Sequence, residues 1–237
     1  RLGRGVARGA DLNATRRRGA GEIRPELRPK GDAAVTVLVG IAGGSCSGKT
    51  TFARGLVDPL RDLGVTSISF DSYYRPLGHL SKDERDRVNF DHPDSLDDAL
   101  LVDHLQQLQA GRAVQQPVYD FSTHSRLPDP VTLRPNAIVL VDGILLLAFP
   151  ALVQTLDLSL FIHAPHDARL KRRIARDTAE RGRTRDSVLR QFAETVAPMH
   201  ERFVEPSAVH ASRRVAWGVD LDAEIASLAR ELRDRIG

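Results

Sequence analysis

One cysteine stands in a chain of 237 residues, so no internal disulfide framework holds this fold. Nor is there an unbroken run of 18 apolar residues, which excludes a helix able to span a bilayer. Lysine is scarce, with four residues against 30 arginines. The net charge of +3 is unevenly spread. Residues 1–34 hold nine basic and four acidic side chains, a balance of +5, and residues 35–237 hold 25 and 27, a balance of −2. The positive charge therefore belongs to the start of the chain, and a nucleic-acid-binding body is disfavoured. That start is rich in arginine but has no apolar stretch, so it does not read as a secretory signal. The expectation is a cytoplasmic enzyme with neither a membrane nor a nucleic acid as partner.

Residues 1–34 are rich in Arg, Gly and Ala without periodicity and read as a disordered basic extension. The alternatives are an anion-binding arm, or sequence upstream of the true start, since no Met opens the chain. Residues 35–237 suffice for one α/β domain with a sizeable core.

The most informative stretch runs from Gly40 to Phe52. It contains G-x-x-x-x-G-K-[ST] between Gly43 and Thr50. An apolar strand, Val35–Ile41, precedes it, and a helical pattern, Thr50–Leu63, follows with Gly64 as its stop. Gly43, Gly44, Ser45, Cys46, Ser47 and Gly48 can fold closely around phosphate oxygens with their N–H groups inward. The helix start through Thr51 adds free N–H groups and a positive dipole end. Lys49 reaches the β- and γ-phosphates, and the Thr50 hydroxyl binds Mg²⁺. A plain Gly/Ser-rich turn is the simpler alternative, but strand, loop and helix fall in the order a phosphate loop requires.

Beyond the loop, strands and helices alternate. Strands are expected at Thr66–Phe70, Ala137–Val141, Leu156–His163 and Val215–Val219. Helices are expected at Ser95–Gln109 with Ser95 as cap, and at His166–Arg181, Arg185–Val196 and Asp222–Ile236. A further short helix is expected at Lys82–Val88. Val114–Val118 and Val131–Leu133 could pair as a hairpin. This order predicts a P-loop NTPase-type parallel sheet with helices on both faces, plus a small β-hairpin insertion. Ligands then bind at the carboxyl ends of the strands. The loop, Asp71 and Asp142 each follow a strand directly and should share one rim. Phosphoryl transfer needs one group to hold Mg²⁺ and another to accept a hydroxyl proton. Two strand-end acids beside a phosphate loop can divide those tasks, although either alone is as readily a turn or cap residue. The helix from His166 carries Arg169, Lys171, Arg172, Arg173 and Arg176, followed by Arg181 and Arg183. A charge run is usually a solvated face, but this density and the Glu180-Arg-Gly-Arg183 break suggest an Arg-rich mobile lid.

Further strings occur in a fixed order: Asp71-Ser-Tyr-Tyr74, Asn89-Phe-Asp-His-Pro-Asp94, Pro117-Val-Tyr-Asp-Phe121 with His124-Ser-Arg126, Asp142-Gly-Ile-Leu145, Arg173-x-x-Arg176-Asp177, Pro198-Met-His200 and Phe203-Val-Glu-Pro206. Together, from about Val37 to Pro206, they closely resemble the uridine kinase (uridine–cytidine kinase) family. The resemblance implies transfer of the γ-phosphate of ATP or GTP, with Mg²⁺, to the 5′-hydroxyl of uridine or cytidine in pyrimidine salvage. It makes Asp71 the base for the hydroxyl proton and leaves Asp142 with Thr50 on the metal side. It makes Asp91 and Arg173 ribose contacts, and Tyr119, His124, Arg183 and Gln191 contacts to the base or its surroundings. Arg176 and Arg181 become lid residues that meet phosphate beside Lys49. It also implies a homo-oligomer, a tetramer in the family. Taken singly these residues have plainer readings: Tyr119 and Phe121 as cover for the hairpin, His124 as a surface loop residue, Asp91 and Asp94 as caps for the helix at Ser95.

Two departures stand out. The family carries Ala-Asp and then isoleucine or valine where this chain has Ala211, Ser212, Arg213 and Arg214, which puts a donor contact in question. Cys46 replaces the usual small uncharged loop residue. A related kinase of another small alcohol is the alternative enzyme, opposed by the Tyr119–Arg126 block. A degenerate nucleotide-binding regulatory protein is the alternative outside catalysis, opposed by intact Lys49, Thr50, Asp71 and Asp142.

Overall fold

The computed structural model describes residues 36–85 and 87–237. The basic extension expected at 1–34 lies outside the described residues, as does the first residue of the expected strand. That strand, β1, runs Val37–Ala42. Its partners are β2 (Val65–Ser69), β7 (Ile138–Gly143), β8 (Leu158–Ile162) and β9 (Arg213–Val215). They form a five-stranded sheet in the order β2-β7-β1-β8-β9, with every pairing parallel. Parallel neighbours need crossovers, and helices supply them on both faces.

Alternation along β1 builds the two halves of the core. Leu38 and Ala42 face one cluster, with Leu101, Leu105, Leu108 and Leu152. Val39 and Ile41 face the other, with Phe52, Leu56, Leu228 and Leu232. Successive side chains on a strand point to opposite faces, so a run apolar throughout is what a sheet covered on both sides demands. The helices Lys49–Val57 and Leu221–Ile236 cover the second face. The helix Asp98–Gln109 covers the first. Among the described residues no helix is long and apolar enough to cross a membrane.

Several boundaries differ from expectation for identifiable reasons. The helix after the loop ends at Val57 and tightens to a 3₁₀ turn over Asp58–Leu63. Pro59 lacks an N–H for the α-helical ladder. Helix 98–109 starts three residues later than expected, because Asp97, not Ser95, caps it by accepting from the Leu100 N–H. The helix expected to end at Val196 runs on through wide π turns at Phe192–Val196 and His200–Val204 to Ser207. Pro198 and Pro206 concealed this continuation, since proline usually ends a helix. The last strand is Arg213–Val215, not 215–219. It is an edge strand, and its arginines leave the sheet: Arg213 pairs with Glu231 at 2.5 Å, and Arg214 donates to the Ala208 carbonyl at 3.0 Å.

The insertion takes the expected hairpin form and adds an inner one. β3 (Val114–Gln116) pairs antiparallel with β6 (Val131–Leu133), and β4 (Tyr119–Asp120) with β5 (Ser125–Arg126). Arg126 ties this unit to the β2 end. It donates to the carbonyls of Tyr74 and Tyr73 at 2.8 and 3.2 Å and pairs with Asp97 at 3.1 Å.

Candidate active site

Register brings the acids and the loop together. Asp142 on β7 lies level with Ile41 of β1 on one side and Ser69 of β2 on the other. Asp71 follows Ser69 by two residues, on a 3₁₀ turn over Phe70–Tyr73. The loop follows Ala42. All three therefore stand on one rim, as the strand ends predict.

The loop is built for close approach. Gly43 sits at φ 146°, and a Cβ there would meet the Ile162 carbonyl oxygen at 2.5 Å. Gly48 precedes the helix at φ 109° and offers no side-chain cap, so the first helical N–H groups stay free for an anion. Cys46 also takes a left-handed conformation, φ 61°. Lys49 is buried at the helix start, and the Ser47 hydroxyl is buried without a hydrogen-bond partner.

Electrostatics mark the same centre. Burial pushes the Asp142 carboxyl up; Lys49 pulls it back, Asp71 pushes it further, and the Thr50 hydroxyl helps its ionised form. Asp91 is likewise pushed up by burial, with Arg173 and Lys49 opposing and Asp71 reinforcing. Lys49, Asp71, Asp91, Asp142 and Arg173 thus share one electrostatic neighbourhood. Asp91 caps no helix, since that task falls to Asp97. The donor set of Asp142, Asp71 and the Thr50 hydroxyl fits a divalent cation. Among the described residues no three His, Cys, Asp or Glu side chains form a metal cage.

Beside the acids lies an aromatic chamber. Phe90 and His124 stack at 4.5 Å with 17° between planes. Tyr74 meets Tyr119 at 5.1 Å and Phe90 at 5.4 Å. Burial pushes Tyr119 up to about 12. Tyr74 is pushed well above its usual range by burial, then by Asp71 and Asp91, so the chamber adjoins the acids. His124 turns inward from a left-handed backbone, φ 51°. The His124 Nδ1 and the Tyr119 hydroxyl are both buried with no hydrogen-bond partner. Buried polar atoms are seldom left unpaired.

The arginines divide into two groups. Arg173 touches the loop, donating to the Ser45 hydroxyl at 2.8 Å and to the Gln191 side-chain oxygen at 3.0 Å. Arg183 donates to that same Gln191 oxygen and to the Ser187 hydroxyl at 2.8 Å. The expected lid residues do not lie over the loop. Arg176 and Arg181 gather with Arg173 and Arg183 around Asp177, at 2.8, 3.7, 3.4 and 3.9 Å. The Asp177 side chain is wholly inaccessible. Arg169 is no solvated residue either: it is buried and donates to the Ala164 carbonyl at 3.2 Å.

Ser212 stands where the resemblance has an acid and a donor contact was put in question. It lies one residue before β9, and its hydroxyl accepts from the Ser159 N–H at 3.0 Å. That is the amino-terminal end of β9, level with Gly40 in the middle of β1. Sequence reasoning missed Phe90, Tyr74, Asp177 and Arg126 as site-builders. All four stand inside the quoted strings, so the signal was present without an assigned task.

Behind the loop, His200 packs where a Gly44 Cβ would lie, 2.9 Å from its Cε1. Burial and then Arg169 hold the His200 imidazole down to about 4, against the opposing pull of Glu205 at 3.1 Å. Between pH 6.5 and about 4 the unfolded chain takes up a proton that the folded chain refuses. This contribution is complete above pH 6.5 and is lost as pH falls through that window. Thermal melts should show a drop on the order of 5 °C attributable to His200 as pH falls from 7 to 4.5. His200→Gln should flatten that slope; identical slopes in both proteins would remove His200 as its source.

Comparison with known proteins agrees with this architecture. A family model described as phosphoribulokinase / uridine kinase family matches residues 38–218. A uridine kinase of Shewanella pealeana (strain ATCC 700345 / ANG-SQ1) is 48% identical over 186 residues, 77% of this chain and 88% of that protein. A uridine kinase of Brevibacillus brevis (strain 47 / JCM 6285 / NBRC 100599) is 43% identical over 175 residues, 74% and 82% of the two chains. Among solved structures, a putative fructose transport system kinase from Silicibacter sp. TM1040 superposes with a TM-score of 0.66 at 18% identity, covering 80% of this chain and 93% of that one.

Proposed function

The chain belongs to the phosphoribulokinase/uridine kinase family, and from that membership we propose that it is an ATP-dependent uridine and cytidine kinase of pyrimidine salvage. The observation that carries the acceptor is the pair of unpartnered buried atoms, His124 Nδ1 and the Tyr119 hydroxyl, beside the stacked rings of Phe90 and His124. A pyrimidine fills that chamber and gives both atoms partners. His124 presents a donor or an acceptor according to tautomer, which suits O4 of uridine and the 4-amino group of cytidine alike.

The reaction then follows from position. The donor is ATP or GTP. Gly43, Gly44, Ser45, Cys46, Ser47, Gly48 and Thr51 offer backbone N–H groups to its phosphates, with Lys49 as the counter-charge. Thr50 and Asp142 would hold Mg²⁺, which would supply neutralisation of phosphate charge. Asp91 and Arg173 fix the ribose, and Arg183 and Gln191 close the chamber. Asp71 takes the proton of the 5′-hydroxyl as its oxygen forms a bond to the γ-phosphorus. The bond from that phosphorus to the bridging oxygen breaks, and the nucleoside diphosphate leaves. Arg176 and Arg181 move from Asp177 onto the transferring phosphoryl group. A salvage role sets the reaction in the cytoplasm, with no membrane or nucleic acid as partner. Assembly as a homo-oligomer, a tetramer as in the family, belongs to the same reading, and the exposed Phe121, Leu127 and Val131 offer it an apolar surface.

A coupled assay across a nucleoside panel tests this. Uridine and cytidine should be phosphorylated and purine nucleosides ignored; equal turnover of adenosine would end the reading. Within it, Asp91→Ala should lower kcat/KM for uridine by about ten- to a hundred-fold, the worth of a charge-assisted hydrogen bond to a ribose hydroxyl. Wild-type kinetics in that variant would withdraw the ribose contact.

A further inference from the structure

The helix Asp98–Gln109 buries a histidine beside its leucines. His104 is 6% exposed and stands with Leu101, Leu105 and Leu108 on the face turned to the core. A buried imidazole is costly unless its polar atoms are paired. His104 Nδ1 lies 3.0 Å from the Tyr73 hydroxyl, and the two rings meet edge to face at 5.6 Å and 72°. Tyr73 is itself fully buried. Burial pushes the His104 imidazole down, so at neutral pH it is uncharged and Nδ1 accepts from the phenol O–H. Tyr73 closes the 3₁₀ turn Phe70–Tyr73, two residues after Asp71. Such a turn has weak hydrogen-bond geometry, and Ser69 gives this one no side-chain cap. Its shape therefore depends on what grips its ends. Phe70 is wedged against β7, where a Gly143 Cβ would meet its Cβ at 2.7 Å, and against the Phe149 ring at 5.7 Å. At the other end the Tyr73 carbonyl accepts from the Asp97 N–H at 2.9 Å and from Arg126 at 3.2 Å. Asp97 caps the helix, and His104 stands about two turns further along. One helix thus holds both the backbone and the side chain of Tyr73.

We propose that His104 is a positioning residue for the reaction: through the Tyr73 hydroxyl it fixes the turn that aims the Asp71 carboxylate at the acceptor's hydroxyl. This rests on the phosphotransferase reading above and adds to it a residue from behind the rim. A general base works only within hydrogen-bond reach of the proton it takes, and a misplacement of about 1 Å can cost a hundred-fold in rate. Without Nδ1 the phenol hydroxyl is left buried and unpaired, a state that favours any shift of Tyr73 that finds it a new partner. Asp71 rides on the same turn and shifts with it. The phosphate loop is built on a different segment of chain, so donor binding does not depend on this pair.

Two substitutions of equal size test the bond. His104→Leu removes the acceptor, whereas His104→Asn keeps an amide oxygen close to the place of Nδ1. His104→Leu should lower kcat with uridine by about two- to ten-fold, the worth of one hydrogen bond, and leave KM for ATP and for uridine in place. His104→Asn should recover most of that loss. Tyr73→Phe keeps the ring and its packing, so it carries the test even where His104→Leu does not fold. It should match His104→Leu, and the double variant should lose no more than either single one, as a shared bond requires. The Asp71→Asn background separates aiming from packing. No base remains there to be aimed, so Tyr73→Phe and His104→Leu should leave the residual kcat unchanged. Equal fractional losses with and without Asp71 would overturn the proposal, as would losses from Tyr73 and His104 that multiply, or a lowered Tm with native kcat. A native protein that phosphorylates another alcohol and no pyrimidine nucleoside would sink the acceptor reading alone, with the coupling of His104 to Asp71 then read on that alcohol.

Discussion

Asp71→Asn lowers turnover by about a hundred- to ten-thousand-fold while donor affinity stays close to that of the native protein. The amide keeps the size of the carboxylate and its place on the Phe70–Tyr73 turn, but it cannot take a proton. Loss of a general base falls in that range. ATP binding persists because the loop and the buried Lys49 are intact. Lys49→Ala is the contrast: it removes the charge facing the phosphates, so donor affinity and turnover fall together. Titration with a fluorescent ATP analogue, run beside steady-state kinetics, separates the two. Retained turnover in Asp71→Asn would transfer the base to Asp142. Lost ATP binding would make Asp71 a metal-side residue.

Asp177→Ala should be the most damaging substitution outside the rim. The carboxylate is wholly buried and draws in Arg173, Arg176, Arg181 and Arg183. Removing it leaves Arg173, whose side chain is only 9% accessible, as a buried cation with one partner fewer. Breaking a buried pair from one side costs about 3–5 kcal/mol. For a domain of this size that is roughly 6–20 °C in Tm. Uridine phosphorylation should fall as well, since Arg173 also holds Ser45 of the loop and Gln191. Asp177→Asn keeps hydrogen-bond acceptors and should recover part of the stability. If Asp177→Ala melts within 2 °C of the native protein, taken as about the effect of half a kcal/mol, the four arginines owe nothing to this carboxylate.

The sheet and its rim were legible because the signals were local. Apolar runs mark β1, β7 and β8, and the loop glycines announce their own backbone. Asp71 and Asp142 declared themselves by ending strands. What sequence could not give is the partner of each arginine. Charge spacing along the helix His166–Glu180 set Arg169, Arg173 and Arg176 on one face, yet the partners come from Ala164, Ser45 and Asp177. Arg172, one position away, donates to the Ser47 and Cys46 carbonyls of the loop, and nothing in its spacing distinguishes it. The chamber was half-visible. Tyr119 and His124 were identified through resemblance, whereas Phe90 emerges only once the inner hairpin is folded over the turn at Tyr74. Ser212, the departure that put a donor contact in question, opens β9 and accepts from the Ser159 N–H, a task its sequence context did not announce.

The hairpin between Val114 and Leu133 pairs only with itself and contributes no strand to the central sheet. Its attachment to the turn at Tyr73 and Tyr74 runs through Arg126. In the proposed reading, strand ends supply the donor contacts and this lobe supplies the base contacts Tyr119 and His124, while Asp91, Arg173, Arg183 and Gln191 complete the acceptor site from elsewhere in the chain. On that reading, remodelling some twenty residues between two fixed anchor points would alter what meets the acceptor's base while the ribose contacts and the machinery that cleaves the triphosphate stay in place.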